Sequence, residues 1–381
     1  MPWKQCTAMS ERVEFIHLAK ADGTNIRELC RRFGISPKTG YKWIHRFAAN
    51  GAEALEDRSR RPQRSPRRTP PELEDAIVRL RDTHPAWGGR KIHQRLAGQG
   101  YANVPCPSTI TAILHRNNRV DPLETGKHTA WQRFESPTPN LLWQMDFKGH
   151  FPLMNTQRCH PLTILDDHSR YALGLFACAA ETHAVVQNHL TLVFRRYGLP
   201  YRMLMDNGQP WGTRDTYRYT ALTVWLMRLG IHITHARVCH PQTLGKDERF
   251  HRTLHVELIR GKTFSDLEEC QGRFNQWRHE YNCERPHEAL QMEVPAGRYR
   301  VSPRPFSERL PTIEYGCHDL VRIVQSKGEI FFRNRTFVIG KAFHRYPVAL
   351  RPTSIDGVFD IFFCHQQISQ INLNHSEESL P

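Results

Sequence analysis

Three acidic residues stand where their surroundings call for a chemical role. Asp146 lies inside the short apolar run 141–147, Leu-Leu-Trp-Gln-Met-Asp-Phe, and Asp206 ends a second run just before the turn pair Asn207-Gly208. An ionised carboxylate inside an apolar strand is costly unless it is paired or binds metal. The third acid, Glu248, lies in residues 245–255. At 3.6 residues per turn, Phe250, Leu254 and Leu258 fall on one stripe that should bury, and Glu248, Arg252 and His255 fall on the adjoining face. Taken alone, such a helix is ordinary amphipathic structure. Preceded by two strand aspartates, it suits a divalent-cation site, because hard cations such as Mg²⁺ take oxygen ligands and leave room for substrate phosphates. Asp247 adjoins Glu248 but points about 100° away around the helix. Asp166 and Asp167, beside His168 and Arg170, read as structural turn residues.

The elements that must position these acids alternate as in an α/β domain. Strands are expected at 142–148, 159–166 and 171–177, then a helix at 183–197 and the strand ending at Asp206. A helix at 216–229 and a short strand at 231–235 follow, and a long helix starting at Ser265 carries Leu267, Phe274, Trp277 and Tyr281 on its apolar side. From Leu310 the apolar pattern changes to period two between Gly and Asn turns, which predicts a small β-barrel over 310–375, made basic by Lys327, Arg333, Arg335, Lys341 and Arg345.

Ahead of the acids the chain reads as helical and basic. Residues 1–57 form helices separated by the Gly34-Ile35-Ser36 turn, with Thr24 capping the second and Ser36-Pro37 opening the third. Helix, Gly-containing turn and helix make a helix-turn-helix pattern. It places Lys38, Thr39, Tyr41, Lys42 and Arg46 on the helix that enters a major groove. Residues 58–71 hold six arginines and four prolines and nothing to bury. They form a linker whose Arg58, Arg60, Arg61, Arg64, Arg67 and Arg68 suit phosphates and the minor groove. Residues 72–120 are a second helical unit, with Arg90 and Lys91 opening its middle helix, and 121–139 are a polar connector.

The 381 residues allow two or three domains, and the net charge of +15 with pI about 9.6 points to a polyanionic partner. A membrane is the rival polyanion, but no apolar run approaches the roughly 20 residues of a spanning helix. The Met1-Pro2-Trp3-Lys4 opening has no apolar signal segment, so an intracellular protein is expected. The ten cysteines lie scattered without a Cys-x-x-Cys pair, which predicts reduced thiols. His84, His93, Cys106 and His115 lack the paired spacing of a zinc module.

In order along the chain stand Trp143-Gln144-Met145-Asp146, Leu165-Asp166-Asp167-His168-Ser169-Arg170, Asp206-Asn207-Gly208, His240-Pro241-Gln242-Thr243 and Gly245-Lys246-Asp247-Glu248-Arg249-Phe250-His251-Arg252-Thr253-Leu254. Over about residues 140–290 this set resembles the integrase core of the DDE transposases, shared by bacterial insertion sequences and retroviral integrases. Trp87-Gly-x-Arg-x-Ile followed by Pro107-Ser-x-x-Thr resembles the second helix-turn-helix of many insertion-sequence transposases, which implies that residues 72–120 are a second DNA-binding unit with Arg90 and Lys91 among its DNA contacts. Tyr281-Asn282-x-x-Arg285-Pro286-His287 closes such cores.

The resemblance implies a multidomain protein: N-terminal helix-turn-helix units, a central α/β ribonuclease-H-like integrase core over 140–295, and the C-terminal barrel. It implies Asp146, Asp206 and Glu248 as catalytic ligands of two Mg²⁺, with Mn²⁺ as a substitute. Lys246, Arg249, Arg252 and His255 are expected to face DNA, and His240 and Gln242 to border its channel. Where related cores carry Lys or Arg seven residues after the glutamate, this chain has His255. The implied reaction frees a 3′-hydroxyl at an element end and joins it to target DNA, with no side-chain nucleophile. The implied partners are double-stranded DNA (terminal repeats and target) and further copies of the chain, a dimer at least, in a cytoplasmic, nucleoid-associated setting. Two other readings stand beside it: a DNA-binding regulator with a dead core, and a nuclease of the ribonuclease-H type without strand transfer.

Overall fold

The computed structural model describes residues 8–57, 68–120, 135–212, 219–235 and 245–374. Arg58, Arg60, Arg61, Arg64, Arg67, His240 and Gln242 lie outside the described residues. The chain forms two compact units, Met1–Arg68 and Thr69–Pro381.

The first unit packs α1 (Ala8–Ala19), α2 (Ile26–Arg32) and α3 (Pro37–Asn50) around Phe15, Ile16, Leu29, Cys30, Trp43 and Leu55. The cap of α2 is Asn25, not the expected Thr24. The Asn25 side chain accepts from the Arg27 and Glu28 amides, while the Thr24 hydroxyl donates to the Leu18 and Ala21 carbonyls at the end of α1. The start of α3 is as expected, with Ser36 Oγ accepting from the Thr39 amide at 3.2 Å and Pro37 in the first turn. Gly40 sits where any Cβ would run into Cys30 Sγ, so glycine permits the close crossing of α3.

The second unit begins with α4 (Pro71–Thr83), α5 (Gly89–Gly98) and α6 (Pro107–Arg116), closed on Ile77, Trp87, Ile92, Leu96, Ile110 and Ile113. Next come β1 (Leu142–Phe147), the two-residue β2 (Phe151–Pro152), β3 (Arg158–Asp166), β4 (Ala172–Cys178), α7 (His183–Tyr197), β5 (Arg202–Met205), α8 (Ala221–Arg228) and β6 (His232–His235). These strands form a six-stranded sheet in which β3 pairs with β1, β2 and β4, and the line continues β1-β5-β6. The β1–β3 and β3–β4 pairs are antiparallel; β1–β5 and β5–β6 are parallel.

Alternation along the strands divides the side chains between two cores. Trp143, Met145, Met203 and Met205 bury with α7 and α8 on one face. Leu165 and Leu175 bury on the other, against Phe250 and Leu254 of α9 (Gly245–Leu254) and Phe274 and Trp277 of α10 (Leu267–Cys283). The chain leaves α9 through a π-helical turn, His255–Ile259. A short α11 (Pro295–Arg298) follows α10.

The expected barrel is replaced by two open sheets. β7 (Leu320–Ile323), β10 (Pro347–Pro352), β11 (Val358–Phe363) and β12 (Gln366–Asn372) form a four-stranded antiparallel sheet in the order β12-β11-β10-β7, and β8 (Glu329–Phe332) pairs with β9 (Arg335–Val338) in a two-stranded sheet. A barrel must close on its own interior. Here the inward Val348, Leu350, Phe359, Ile361 and Phe363 join the same apolar cluster as Trp143, Leu226 and Ile233. The core supplies the second layer, so closure is not needed. The Gln366 side chain also bonds to both the amide and the carbonyl of Ile233 at 2.8 and 3.1 Å, occupying the free edge of β6 as a strand would.

Candidate active site

Parallel pairing aligns the two strand acids. Trp143 pairs with Met203 and Gln144 with Leu204, so the same register carried on by two residues sets Asp146 level with Asp206. Both leave the sheet on the face opposite Trp143 and Met203, the face that α9 covers. Asp206 lies one residue past β5, where the Gly208 amide donates to its Oδ1 at 3.0 Å and the Trp211 indole N–H bonds to the same oxygen. Trp211 is held in turn by stacking on Phe147, with centroids 5.3 Å apart.

Burial, and then the charge of Asp206, push the Asp146 carboxyl up to about 7; Glu181 and Glu248 add smaller contributions of the same sign. Among the described residues, no three His, Cys, Asp or Glu side chains are grouped tightly enough to hold a metal ion. The donor chemistry still fits a hard cation: carboxylates alone, on one face, repelling one another in a way that a divalent ion relieves. Glu248 is exposed on α9, with Arg249, Arg252 and His255 also exposed.

Two neighbours on α9 turn inward instead. His251 Nε2 lies 2.8 Å from the Thr163 hydroxyl, which itself donates to the Asp146 carbonyl. That hydroxyl therefore offers His251 a lone pair, which places the ring proton on Nε2 and leaves Nδ1 toward Asp146 Oδ2 at 4.0 Å. Burial and the nearby charge of Lys148 lower His251 to about 4, so the ring is neutral. Asp247 is fully buried, and neither carboxyl oxygen has a hydrogen-bond partner among the described residues. Its pKa is raised well above the usual range by burial, and by the charges of Asp146 and Asp167. Helical periodicity singles out neither residue. Spacing gives each an angle on the helix but not the side chain it meets.

Asp166 and Asp167 are structural, as expected. The first accepts from the Asn140 amide at 2.7 Å and from the Ser169 amide and hydroxyl at 2.8 and 2.6 Å. The second accepts from the Ser136 amide and the Gln144 side chain, each at 2.7 Å. Lys246 departs from its expected DNA-facing role, because its ammonium is drawn inward onto Asp167. The closing motif ties α10 to the rest of the core. Asn282 bonds the amide and carbonyl of Ala172 at the start of β4, and Arg285 bonds Glu257 in the π turn. In the first unit Lys38, Tyr41 and Lys42 are exposed on α3. Thr39 is engaged in the helix cap, and Arg46 lies half-buried with its guanidinium 5.0 Å from the Trp43 ring centre. Arg68 and Arg90 are exposed, and Lys91 is half-buried.

Five protein-family profiles match the chain. A helix-turn-helix domain covers residues 11–63 and a homeodomain-like domain 39–114. Two integrase core domains cover 136–241 and 229–295, and the C-terminal domain of the IS481 family transposases covers 319–379. A 39.2 kDa uncharacterized protein of insertion element IS476 from Xanthomonas euvesicatoria is 25% identical over 227 residues, 59% of this chain and 63% of that protein. A 31.7 kDa uncharacterized protein of insertion element IS407 from Burkholderia multivorans is 26% identical over 158 residues, 42% of this chain and 54% of that protein. The chain thus spans less than two thirds of each of these relatives. Among solved structures, a chain of the simian T-cell lymphotropic virus intasome is 14% identical with a TM-score of 0.39, covering 80% of this chain and 99% of that one. The HTLV-2 integrase catalytic core in complex with magnesium is 12% identical with a TM-score of 0.33, covering 44% and 100%.

Proposed function

We propose that this chain, which carries the helix-turn-helix units, integrase core and C-terminal domain of an insertion-sequence-type transposase, binds the ends of its element, cleaves there to free 3′-hydroxyls and joins them to target DNA. The carrying observation is the parallel β1–β5 register, which carried on by two residues sets Asp146 beside Asp206, with Glu248 on the helix that packs over the same face and close enough to act on Asp146. These three acids would hold two Mg²⁺, or Mn²⁺ in their place; bound there, such ions neutralise charge at the transferring phosphate.

The surrounding residues hold the acids in place. Trp211 and the Gly208 amide fix the Asp206 carboxylate. His251, anchored on Thr163, fixes α9 over Asp146. Arg249, Arg252 and His255 line the exposed side of α9 and meet the DNA backbone, and Lys38, Tyr41, Lys42 and Arg46 of α3 read the element end. His255 supplies a weaker contact than a lysine, because burial and the charges of Lys148 and Arg260 lower its pKa. Joining two ends calls for two sites, hence a dimer or larger assembly of this chain. No helix among the described residues is long and apolar enough to cross a membrane, and the reaction belongs with chromosomal DNA in the cytoplasm.

A Mg²⁺-dependent cleavage and joining assay on duplex ends tests this reading. A transposase cuts and joins. A regulator with a dead core does neither, and a simple nuclease cuts without joining.

A further inference from the structure

The turn between β3 and β4 reaches two of the elements that carry the acids. The Asp167 amide donates to the Leu142 carbonyl at the start of β1 at 2.9 Å, and the side-chain amide of Gln144 donates to Asp167 Oδ1 at 2.7 Å. Gln144 stands two residues before Asp146, on the same face of the strand. The Lys246 ammonium donates to the same Oδ1, and to the Asp167 carbonyl at 3.1 Å. Lys246 stands two residues before Glu248, in the first turn of α9. The Asp167 side chain is 0% exposed and that of Lys246 17%, so the ion pair is largely withdrawn from water. Residues two apart on a helix point about 200° from one another. Drawing Lys246 inward therefore turns Glu248 to the open side. Asp247, between them, feels the charges of both Asp146 and Asp167, so this turn of α9 passes close to both carboxylates.

We propose that Lys246 is a positioning residue: through Asp167 and Gln144 it ties α9 to β1, and so sets the reach from Glu248 to Asp146 on which cation binding depends; this rests on the transposase reading above. Phe250 and Leu254 hold α9 against the sheet by apolar burial, which has no direction and does not fix how the helix is rolled. A lysine on one carboxylate oxygen, with the Ser136 amide on the other at 2.7 Å, does have direction and selects one roll.

The test titrates the full chain, without DNA, with Mg²⁺ by calorimetry, and takes Asp146→Asn as the blank for the acid site. Lys246→Met keeps the apolar stem and removes the charge. It should weaken Mg²⁺ binding by about tenfold, as loss of a group that orients a ligand does. Its affinity for duplex in metal-free buffer, and the salt slope of that affinity, should match the wild type. The double variant Lys246→Met/Asp167→Asn no longer strands a buried carboxylate. Its melting temperature should return toward the wild type while its Mg²⁺ affinity stays low. Unchanged Mg²⁺ affinity in Lys246→Met, or affinity restored together with the melting temperature in the double variant, makes the pair a packing feature and overturns the assignment. A lowered salt slope makes Lys246 a DNA contact and overturns it too. End joining in the same preparations reports separately on the transposase reading. A wild type that binds Mg²⁺ and joins no ends sinks that reading and leaves the tie assigned; one that binds no Mg²⁺ sinks both.

Discussion

The β1–β5 register, carried on by two residues, sets Asp146 level with Asp206 one residue past β5, and burial together with the Asp206 charge holds the Asp146 carboxyl at about 7. An acid whose folded pKa exceeds its unfolded value of 3.8 favours folding fully only while both states are protonated. That contribution is lost as pH rises from about 4 to about 7. In metal-free protein, the melting temperature of Asp146→Asn should therefore gain on that of the wild type across this window. Added Mg²⁺ should raise the wild type and not the variant. A difference that stays flat from pH 4 to 7 contradicts the placement of Asp146.

Asp247 and Glu248 are neighbours with opposite fates. Asp247→Asn removes a buried acid that is held in its protonated form, so it should stabilise the protein at neutral pH. Below about pH 4 the gain should vanish, because the unfolded acid is then protonated too. Joining should persist in Asp247→Asn and fail in Glu248→Gln. Loss of joining in both, with the fold intact by circular dichroism, would show that the inward acid takes part in the chemistry.

Glu257 and Arg285 form a buried pair, 5% and 8% exposed, with Nε to Oε1 at 3.2 Å and the Trp277 indole on the other carboxylate oxygen at 2.9 Å. Arg285→Leu strands the carboxylate and should cost about 3–5 kcal/mol in denaturant unfolding. The double variant Arg285→Leu/Glu257→Leu should recover part of that loss. Strict additivity of the two single changes would show that the pair is not coupled.

On α3, Lys42 and Arg46 lie over Trp43, with centroid distances of 4.7 and 5.0 Å. Lys42→Ala should weaken duplex binding by about a factor of ten and lower the salt slope by about one, leaving thermal stability nearly unchanged. A fall in stability without a change in slope would make the residue a packing element.

Much of this architecture is legible in the chain. The acids stand out because a carboxylate in an apolar run needs a reason, and the strands around them alternate cleanly between two cores. The cap of α3 is legible because Ser36-Pro37 has one reading. Thr24 misleads because two adjacent residues can both cap, and the carbonyls ending α1 claim its hydroxyl. The barrel misleads for a different reason: period two gives the two faces of a strand but not whether the sheet closes on itself or rests on another layer. Lys246 and His251 are hidden because their partners, Asp167 and Thr163, lie 79 and 88 residues away.

The most direct measurement is cleavage and joining of duplex ends by Asp146→Asn, Asp206→Asn and Glu248→Gln beside the wild type, with DNA binding measured in the same samples. Each variant should bind duplex with near wild-type affinity and lose both steps by at least about a thousandfold. Strand transfer retained by any one of the three contradicts the account.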